Sequence, residues 1–117
     1  MQMNPFESAS PLCFQAYWTA EETESYRHRH PFTTQMMSLW KSVEKLDLFL
    51  QRVRELGYSK PPIYHAEDFR CAVPVWAQGD RLIGVLGVGI WLEKGFAEGR
   101  KVIKEMLASS RQIGENF

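Results

Sequence analysis

The spacing of apolar residues predicts a helical N-terminal half, followed by two strands and a last helix. Residues 5–18 form a loop that leads into a short helix from about Ser10. Thr19 and Glu22 have the spacing of a capping box, in which each side chain bonds the backbone N–H of the other residue. A second helix is therefore predicted to about His28, and Pro31 ends it by disfavouring a helical conformation at the preceding residue.

The strongest helical periodicity lies in residues 38–58. Apolar residues recur there at steps of four and three, which places them on one face: Leu39, Val43, Leu46, Leu50 and Val53. Ser38 is the predicted N-cap, and Gly57 is the predicted residue after the C-terminus. We expect this helix to cover a sheet.

Two strand-like runs follow an irregular, proline-containing segment over 59–68. The runs "FRCAVPVWA" and "RLIGVLGVGIW" are joined by "QGD", which is typical of a hairpin. Pro74 in the first run predicts an edge strand or a bulge. The second run is apolar on both faces, so it is predicted to be a central, covered strand.

An amphipathic helix is predicted over the last segment, 94–117. Gly95 and Gly99 weaken its start, and its apolar side carries Phe96, Val102, Ile103, Met106 and Ile113. Two or three strands make a thin sheet, and an isolated hairpin is only marginally stable in water. Further strands are therefore expected from a partner chain or from a segment outside these residues.

Three glycines, Gly84, Gly87 and Gly89, interrupt the second strand-like run. A dinucleotide loop reads G-x-G-x-x-G between a strand and a helix, whereas this run reads G-x-x-G-x-G inside a strand. Alternate strand residues share a face, so Gly87 and Gly89 point the same way. Such a pair indicates the close approach of a packed helix, a ligand or another backbone.

Composition narrows the class of protein. The 117 residues are 44% hydrophobic and have a formal net charge of zero. That suits one globular domain, and it provides neither a basic footprint for nucleic acid nor a polybasic membrane patch. "MQMNPFE" lacks the features of a signal peptide, and no apolar run approaches membrane-spanning length. Cys13 and Cys71 lie far apart without metal-ligand spacing, which predicts reduced thiols in a cytoplasmic protein.

Other candidate chemistry is weak. His28 and His30 are two residues apart, a spacing that does not bring side chains together on a helix. His65 lies near two carboxylates in "YHAED", but nothing else converges on this group. Cys71 would be a reactive thiol only beside a base or a cation, and Arg70 points to the opposite strand face. A small enzyme that uses Cys71 or His65 stays open as an alternative.

Several blocks in order resemble the effector-binding domain of IclR-type transcriptional regulators. They are "LQRVRELGY", then "RCAVPVW" and "GDRLIGVLGVGI", then the terminal helix. "PFESASPLCFQAYWTAEE" is similar to the segment before the family's first long helix, and "PFTTQMM" is similar to its Thr-rich loop. The resemblance covers nearly everything after Asn4.

The resemblance implies an α/β (α+β) fold of the GAF-like or profilin-like kind, with an antiparallel sheet flanked by helices. Residues 1–117 then form a single domain that lacks the first strands and the family's winged helix-turn-helix DNA-binding domain. The implied function is non-catalytic sensing of a small carboxylate or aromatic effector in a bacterial, cytoplasmic regulator. The implied assembly is a homo-oligomer, a dimer or a tetramer, without a cofactor, a metal, a nucleic-acid contact or a membrane contact. A ligand-free oligomerisation module derived from that domain is the alternative.

The resemblance also implies a binding face, at Ser8, Ser10, Cys71, Gly87 and Gly89. The family's cysteine resembles Cys71, and its paired serines fall on the two glycines, so their hydroxyl groups are lost. The family's Gly-Lys falls on Leu12 and Cys13, while Pro11 removes an amide from a helix start that could hold an anion. A wider, less polar pocket is implied, which favours a bulkier and more apolar ligand than a small oxoacid.

Overall fold

The computed structural model describes residues 4–93 and 96–117, and it has the α+β class predicted from the sequence. Gly95 and the side chain of Phe96, both assigned to the start of the last helix, lie outside the described residues. In chain order the elements are α1 (Ala9–Ala16), α2 (Ala20–Arg29), α3 (Thr34–Trp40), α4 (Val43–Leu56), β1 (Asp68–Ala77), β2 (Arg81–Trp91) and α5 (Phe96–Glu115).

The predicted capping box begins α2. The backbone N–H of Thr19 donates to Glu22 Oε1 at 2.9 Å, and the N–H of Glu22 donates to Thr19 Oγ1 at 3.1 Å. Two first-turn amides, which have no partner inside the helix, are satisfied in this way. The prediction is confirmed, and α2 ends at Arg29, one residue beyond the expected end.

The single long helix predicted over 38–58 is wrong, because the chain breaks it into α3 and α4. Lys41 adopts a φ of 72°, which no residue inside a right-handed helix can have. Ser42 then caps α4 by accepting a hydrogen bond from the Lys45 N–H at 3.2 Å, so Ser42 rather than Ser38 is the N-cap. Gly57 ends α4 in the left-handed region as predicted, with a φ of 82°.

The expectation that this helix covers the sheet is wrong, because the apolar side of α4 packs against α1 and α3. Its buried residues meet Leu12 of α1 and Trp40 of α3 in one cluster. The Trp40 indole N–H donates to the Phe6 carbonyl oxygen at 2.6 Å, which ties the segment before α1 to the same cluster. The helices α1, α3 and α4 therefore form a layer that reaches the sheet through α1.

The hairpin is an antiparallel two-stranded sheet with Cys71 opposite Val88 and Ala72 opposite Gly87. The register shifts between Val75 and Trp76, and the extra residue is Ile83 of β2, so the irregularity lies near Pro74 but on the partner strand, while Pro74 itself pairs regularly with Val85. On the outer side of β1, Ser59 and Ala72 exchange two backbone hydrogen bonds of 2.7 and 2.9 Å. Among the described residues no third strand extends the sheet.

The two faces of the sheet have different covers. On the face here called the α5 face, Phe69, Cys71 and Val73 pack with Met106 and Leu92. On the opposite face, the α1 face, a smaller cluster joins Ala72 to α1.

The expectation that β2 is central and covered is wrong for the described residues. β2 is an edge strand, and its side chains are intermediate or exposed along its whole length. Its partner β1 is buried at most positions, because α5 contacts mainly β1. The apolar residues of β2 therefore exceed what the described chain can cover.

Candidate functional site

A cavity of about 520 Å³ lies between the start of α1, the loop before β1 and the middle of the hairpin. Its lining includes all five residues of the predicted binding face. The described lining consists of Ser8, Ala9, Ser10, Tyr64, Arg70, Cys71, Gly87, Val88 and Gly89. No tryptophan or phenylalanine is among these residues, so the chain's large aromatic side chains do not fill the space.

The two glycines on the α1 face have different neighbours. A Cβ atom at Gly87 would lie 2.6 Å from Ser10 Oγ, so at this position the missing side chain admits α1. A Cβ atom at Gly89 would meet nothing within 4 Å. Gly87 is therefore explained by helix packing, whereas Gly89 leaves open space inside the cavity.

Cys71 borders the cavity through its backbone and not through its thiol. Its carbonyl oxygen lies 3.9 Å from the position of a Gly87 Cβ, while its side chain belongs to the core on the α5 face. Desolvation by burial raises the pKa of this thiol to about 12, with Lys60 opposing the shift. The thiol is thus protonated at neutral pH, and this disfavours the alternative of a nucleophilic Cys71.

Arg70 is the one charged side chain among the described lining residues. Arg70 pairs with Gly89 across the hairpin, so its side chain lies on the α1 face. The glycine places no side chain beside it. Its guanidinium group stacks on the Tyr64 ring, 4.2 Å from the ring centroid, and donates to both Asp68 oxygens at 3.1 and 3.2 Å. The hydrogen bond to Asp68 raises the pKa of Arg70 further, so this group stays cationic.

Tyr64 fixes the position of the arginine. Its hydroxyl group donates to the Glu7 carbonyl oxygen at 2.8 Å, which joins the loop before β1 to the segment before α1. Burial raises the pKa of the Tyr64 phenol, so the group is a neutral hydrogen-bond donor. Neither Arg70 nor Tyr64 was among the predicted site residues. Strand alternation combined with the hairpin register could have placed Arg70 beside Gly89.

The start of α1 adds polar groups to the cavity. Ser8 is the N-cap residue, and its side chain makes no capping hydrogen bond. The amides of Ala9 and Ser10 belong to the first turn, where helix N–H groups have no intrahelical partner. Together with the electropositive end of the helix, these groups favour a negatively charged or hydrogen-bond-accepting ligand.

The other candidate groups do not assemble into sites. His65 is exposed, and the described residues contain no cluster of three or more histidine, cysteine, aspartate or glutamate side chains able to hold a metal ion. A larger groove of about 600 Å³ lies at the far end of β1, between Trp76 and the end of α5. One of its cations, Arg54, already donates to the Ala16 carbonyl oxygen at 2.9 Å. None of the helices formed by the described residues is long and apolar enough to cross a membrane.

Comparison with known proteins identifies the fold. No protein-family model matches the chain, and no curated protein is significantly similar to it in sequence. Solved structures do match. The C-terminal domain of the E. coli transcriptional regulator KdgR superposes with a TM-score of 0.73 at 20% identity, over 93% of this chain and 68% of that domain.

Two further structures agree. An IclR transcriptional regulator from Alicyclobacillus acidocaldarius has a TM-score of 0.73 at 23% identity, over 97% of this chain and 46% of that one. An IclR homologue from Microbacterium hydrocarbonoxydans, solved in complex with 4-hydroxybenzoate, has a TM-score of 0.67 at 19% identity, over 96% and 46% of the two chains. The described chain thus has the fold of the effector-binding domains of IclR-type regulators, and it spans about two thirds of the KdgR domain and about half of the longer chains.

Proposed function

We propose that this chain is a non-catalytic, ligand-sensing regulatory domain whose effector occupies the cavity between α1 and the hairpin. The observation that carries the proposal is the pairing of Arg70 with Gly89. It puts a fixed cation directly beside open space. A volume of about 520 Å³ lies in the ~300–1,000 Å³ range typical of small-molecule sites.

The groups around the cavity favour an aromatic carboxylate. A planar guanidinium group binds a carboxylate through two parallel hydrogen bonds. The open side of Gly89 gives an apolar ring room beside the strand, and the serines at the start of α1 offer hydrogen bonds to ring substituents. The structural relative with bound 4-hydroxybenzoate supports a ligand of this class. The parent protein is proposed to be a cytoplasmic bacterial transcriptional regulator.

In this mechanism the effector carboxylate competes with Asp68 for Arg70. Asp68 holds the guanidinium group, and its side chain is partly exposed, so exchanging one carboxylate for another costs little. Binding also connects α1, the loop at Tyr64 and the hairpin, since each of them lines the cavity. Ligand occupancy would thus stabilise the arrangement of α1 on the sheet, which is a signal that a regulator can transmit.

Calorimetric titration with 3- and 4-hydroxybenzoate, and with 4-hydroxybenzamide as the uncharged analogue, tests the proposal. We expect the two acids to bind and the amide to bind at least tenfold more weakly. Arg70→Gln should weaken binding of the acids at least tenfold, which corresponds to ~1.4 kcal/mol. Arg52→Gln is the matched control, because Arg52 is an exposed arginine on α4 and does not line the cavity.

Two results would contradict the proposal. One is the absence of binding, and of any thermal stabilisation, by a wider panel of aromatic and aliphatic carboxylates at millimolar concentration. The other is equal loss of affinity in Arg70→Gln and Arg52→Gln. Either result would favour the alternative of a ligand-free oligomerisation module.

A further inference from the structure

The outer edge of β2 has a row of unpaired backbone groups. Ala72 directs its N–H and C=O to Ser59, away from β2. In an antiparallel ladder the backbone N–H and C=O groups of successive residues point alternately to the two edges of the strand. The backbone of Cys71 therefore bonds to Val88, and that of Val73 bonds to Leu86 of β2. The intervening β2 residues, Val85, Gly87, Gly89 and Trp91, therefore present their N–H and C=O groups to the outside.

The edges of the two strands are protected differently. The outer edge of β1 is blocked by the Ser59 bridge and by Pro74, which has no N–H to offer. The edge of β2 carries none of the usual protection, since residues 82–91 contain no charged residue and no proline. Ile83, Ile90 and Trp91 are exposed there, with 39%, 41% and 68% of their surface accessible. Unprotected apolar edges of this kind pair with another strand.

We propose that a second copy of this chain pairs with the edge of β2 in antiparallel orientation, about a twofold axis at Gly87. In this register Arg81 of each copy lies near Glu93 of the other, which puts an opposite charge at both ends of the pair. Ile83 lies beside the second copy's Trp91, so two of the three exposed apolar side chains of the edge cover one another. The exposed Ile90 meets Gly84, where the structure leaves open space.

The directions of the backbone groups agree with this register. Gly87 faces outward and would exchange two hydrogen bonds with its own copy, and Val85 would do so with Gly89. A twofold pairing uses the same edge in both copies and leaves no free β2 edge, so it forms a closed four-stranded sheet and not a fibre. The second copy's Val85 also lies next to Gly89, at the rim of the cavity.

Helix α1 extends the same interface. Ser10 contacts the Gly87 position, and Phe14 lies one helical turn further on the same side of α1. Phe14 keeps 37% of its surface exposed, although it is a large apolar residue in the middle of a helix. Tyr17 of the same helix contacts Trp76, so Phe14 lies on the Trp76 side of an axis at Gly87. It is on the same side of the axis as Val85, which pairs with the second copy's Gly89.

Sedimentation equilibrium of the full chain at micromolar concentration tests the proposal. We expect a dimer for the unaltered chain and a monomer for Ile83→Lys, which puts a charge on the edge. Phe14→Glu, on a different element, should weaken the dimer at least tenfold. Lys104→Glu, a charge change at an exposed position of α5, is the control and should leave the dimer unchanged.

A charge swap tests the register. Arg81→Glu and Glu93→Arg should each raise the dimer dissociation constant at least threefold, and the double variant should restore it. A monomeric unaltered chain at 100 µM, or a dimer insensitive to Ile83→Lys, would overturn the proposal and leave the edge for a strand of another polypeptide. A dimer that Ile83→Lys breaks, without rescue in the charge-swapped double variant, would overturn the register at Gly87. Circular dichroism of each variant separates loss of the dimer from loss of the fold.

Discussion

β1 and β2 are two strands of similar apolar content, and the structure treats them in opposite ways. β1 is buried along most of its length, between α5 on one face and α1 on the other. β2 pairs with β1 residue by residue, yet its own side chains stay intermediate or exposed. The difference shows that the apolar content of a strand does not by itself report how far its own chain buries it.

The same contrast holds for the backbone. β1 has hydrogen-bonding partners on both sides near Ala72, because Ser59 bonds to its outer side. β2 has a partner on one side only among the described residues. A hairpin with one unpaired, unprotected edge is a typical site of association. The first strand is therefore enclosed by the fold, and the second has one edge without a strand partner among the described residues.

The largest expected effect is a difference in stability loss between the two residues of one cross-strand pair. Phe69 of β1 is 1% exposed, and its direct partner Ile90 of β2 is 41% exposed. Phe69→Ala should lower the free energy of unfolding by ~3–5 kcal/mol, because it leaves a cavity against α5. Ile90→Ala should cost less than ~1 kcal/mol under conditions where the chain is monomeric. Urea denaturation measures both, and equal losses would remove the distinction between the strands.

Much of this fold could be predicted from local patterns. The capping box at Thr19, the left-handed Gly57 and the hairpin around "QGD" each depend on a few neighbouring residues. Such features follow from backbone chemistry within one or two turns of the chain. The break at Lys41 was missed because apolar residues continue across it at helical spacing, and the periodicity does not show a single residue with positive φ.

The cavity was only partly predictable, because its residues come together through tertiary packing. Ser8, Ser10 and the two glycines lie together around the cavity, whereas the thiol of Cys71 lies on the α5 face of the strand. Alternation puts Cys71 and Gly87 on opposite faces once the register pairs Ala72 with Gly87. That register could not be read without the position of the bulge, which shifts the pairing of every residue beyond it. Tyr64 reaches the site through a loop, whose path no periodicity specifies.

An intermediate effect is the pH dependence of stability that a buried thiol on β1 causes. Burial raises the pKa of Cys71 from its ordinary value of 9.0 to about 12. Above pH 9 the unfolded chain loses this proton while the folded chain keeps it, so stability is intact below pH 9 and falls as the pH rises towards 12. In a Cys13→Ala background, the free energy of unfolding should therefore drop by ~1.4 kcal/mol per pH unit above pH 9.

The matched variant moves the thiol to the partner position on β2. Val88 lies directly opposite Cys71 and is only partly buried. Cys13→Ala/Cys71→Ala/Val88→Cys should show a smaller pH slope, and its thiol should react with iodoacetamide at a lower pH. Tyr17 and Tyr64, whose pKa values burial also raises, contribute equally to both variants above pH 10. Identical slopes would mean that the environments of the strands do not differ.

The smallest expected effect lies within β2, between its two glycines on the α1 face. Gly87→Ala should destabilise the monomer by ~1 kcal/mol, because the new methyl group would lie 2.6 Å from Ser10 Oγ and the serine must move. Gly89→Ala should be neutral or stabilise by up to ~1 kcal/mol, since it restricts the unfolded chain and meets nothing within 4 Å.

A double-mutant cycle tests whether Ser10 is the cause of the difference. Ser10→Ala/Gly87→Ala removes the colliding oxygen and should recover most of the lost stability, whereas Ser10→Ala combined with Gly89→Ala should be additive. Thermal unfolding of the five variants, including Ser10→Ala alone, measures these terms. The assignment would be contradicted if Gly87→Ala cost no stability and Gly89→Ala were the destabilising change. In that case Gly89, and not Gly87, would be the position packed against a neighbour. With the expected order, Gly87 makes room for the hydroxyl group of Ser10 on α1, and Gly89 is the position at which larger side chains can be introduced to close the cavity.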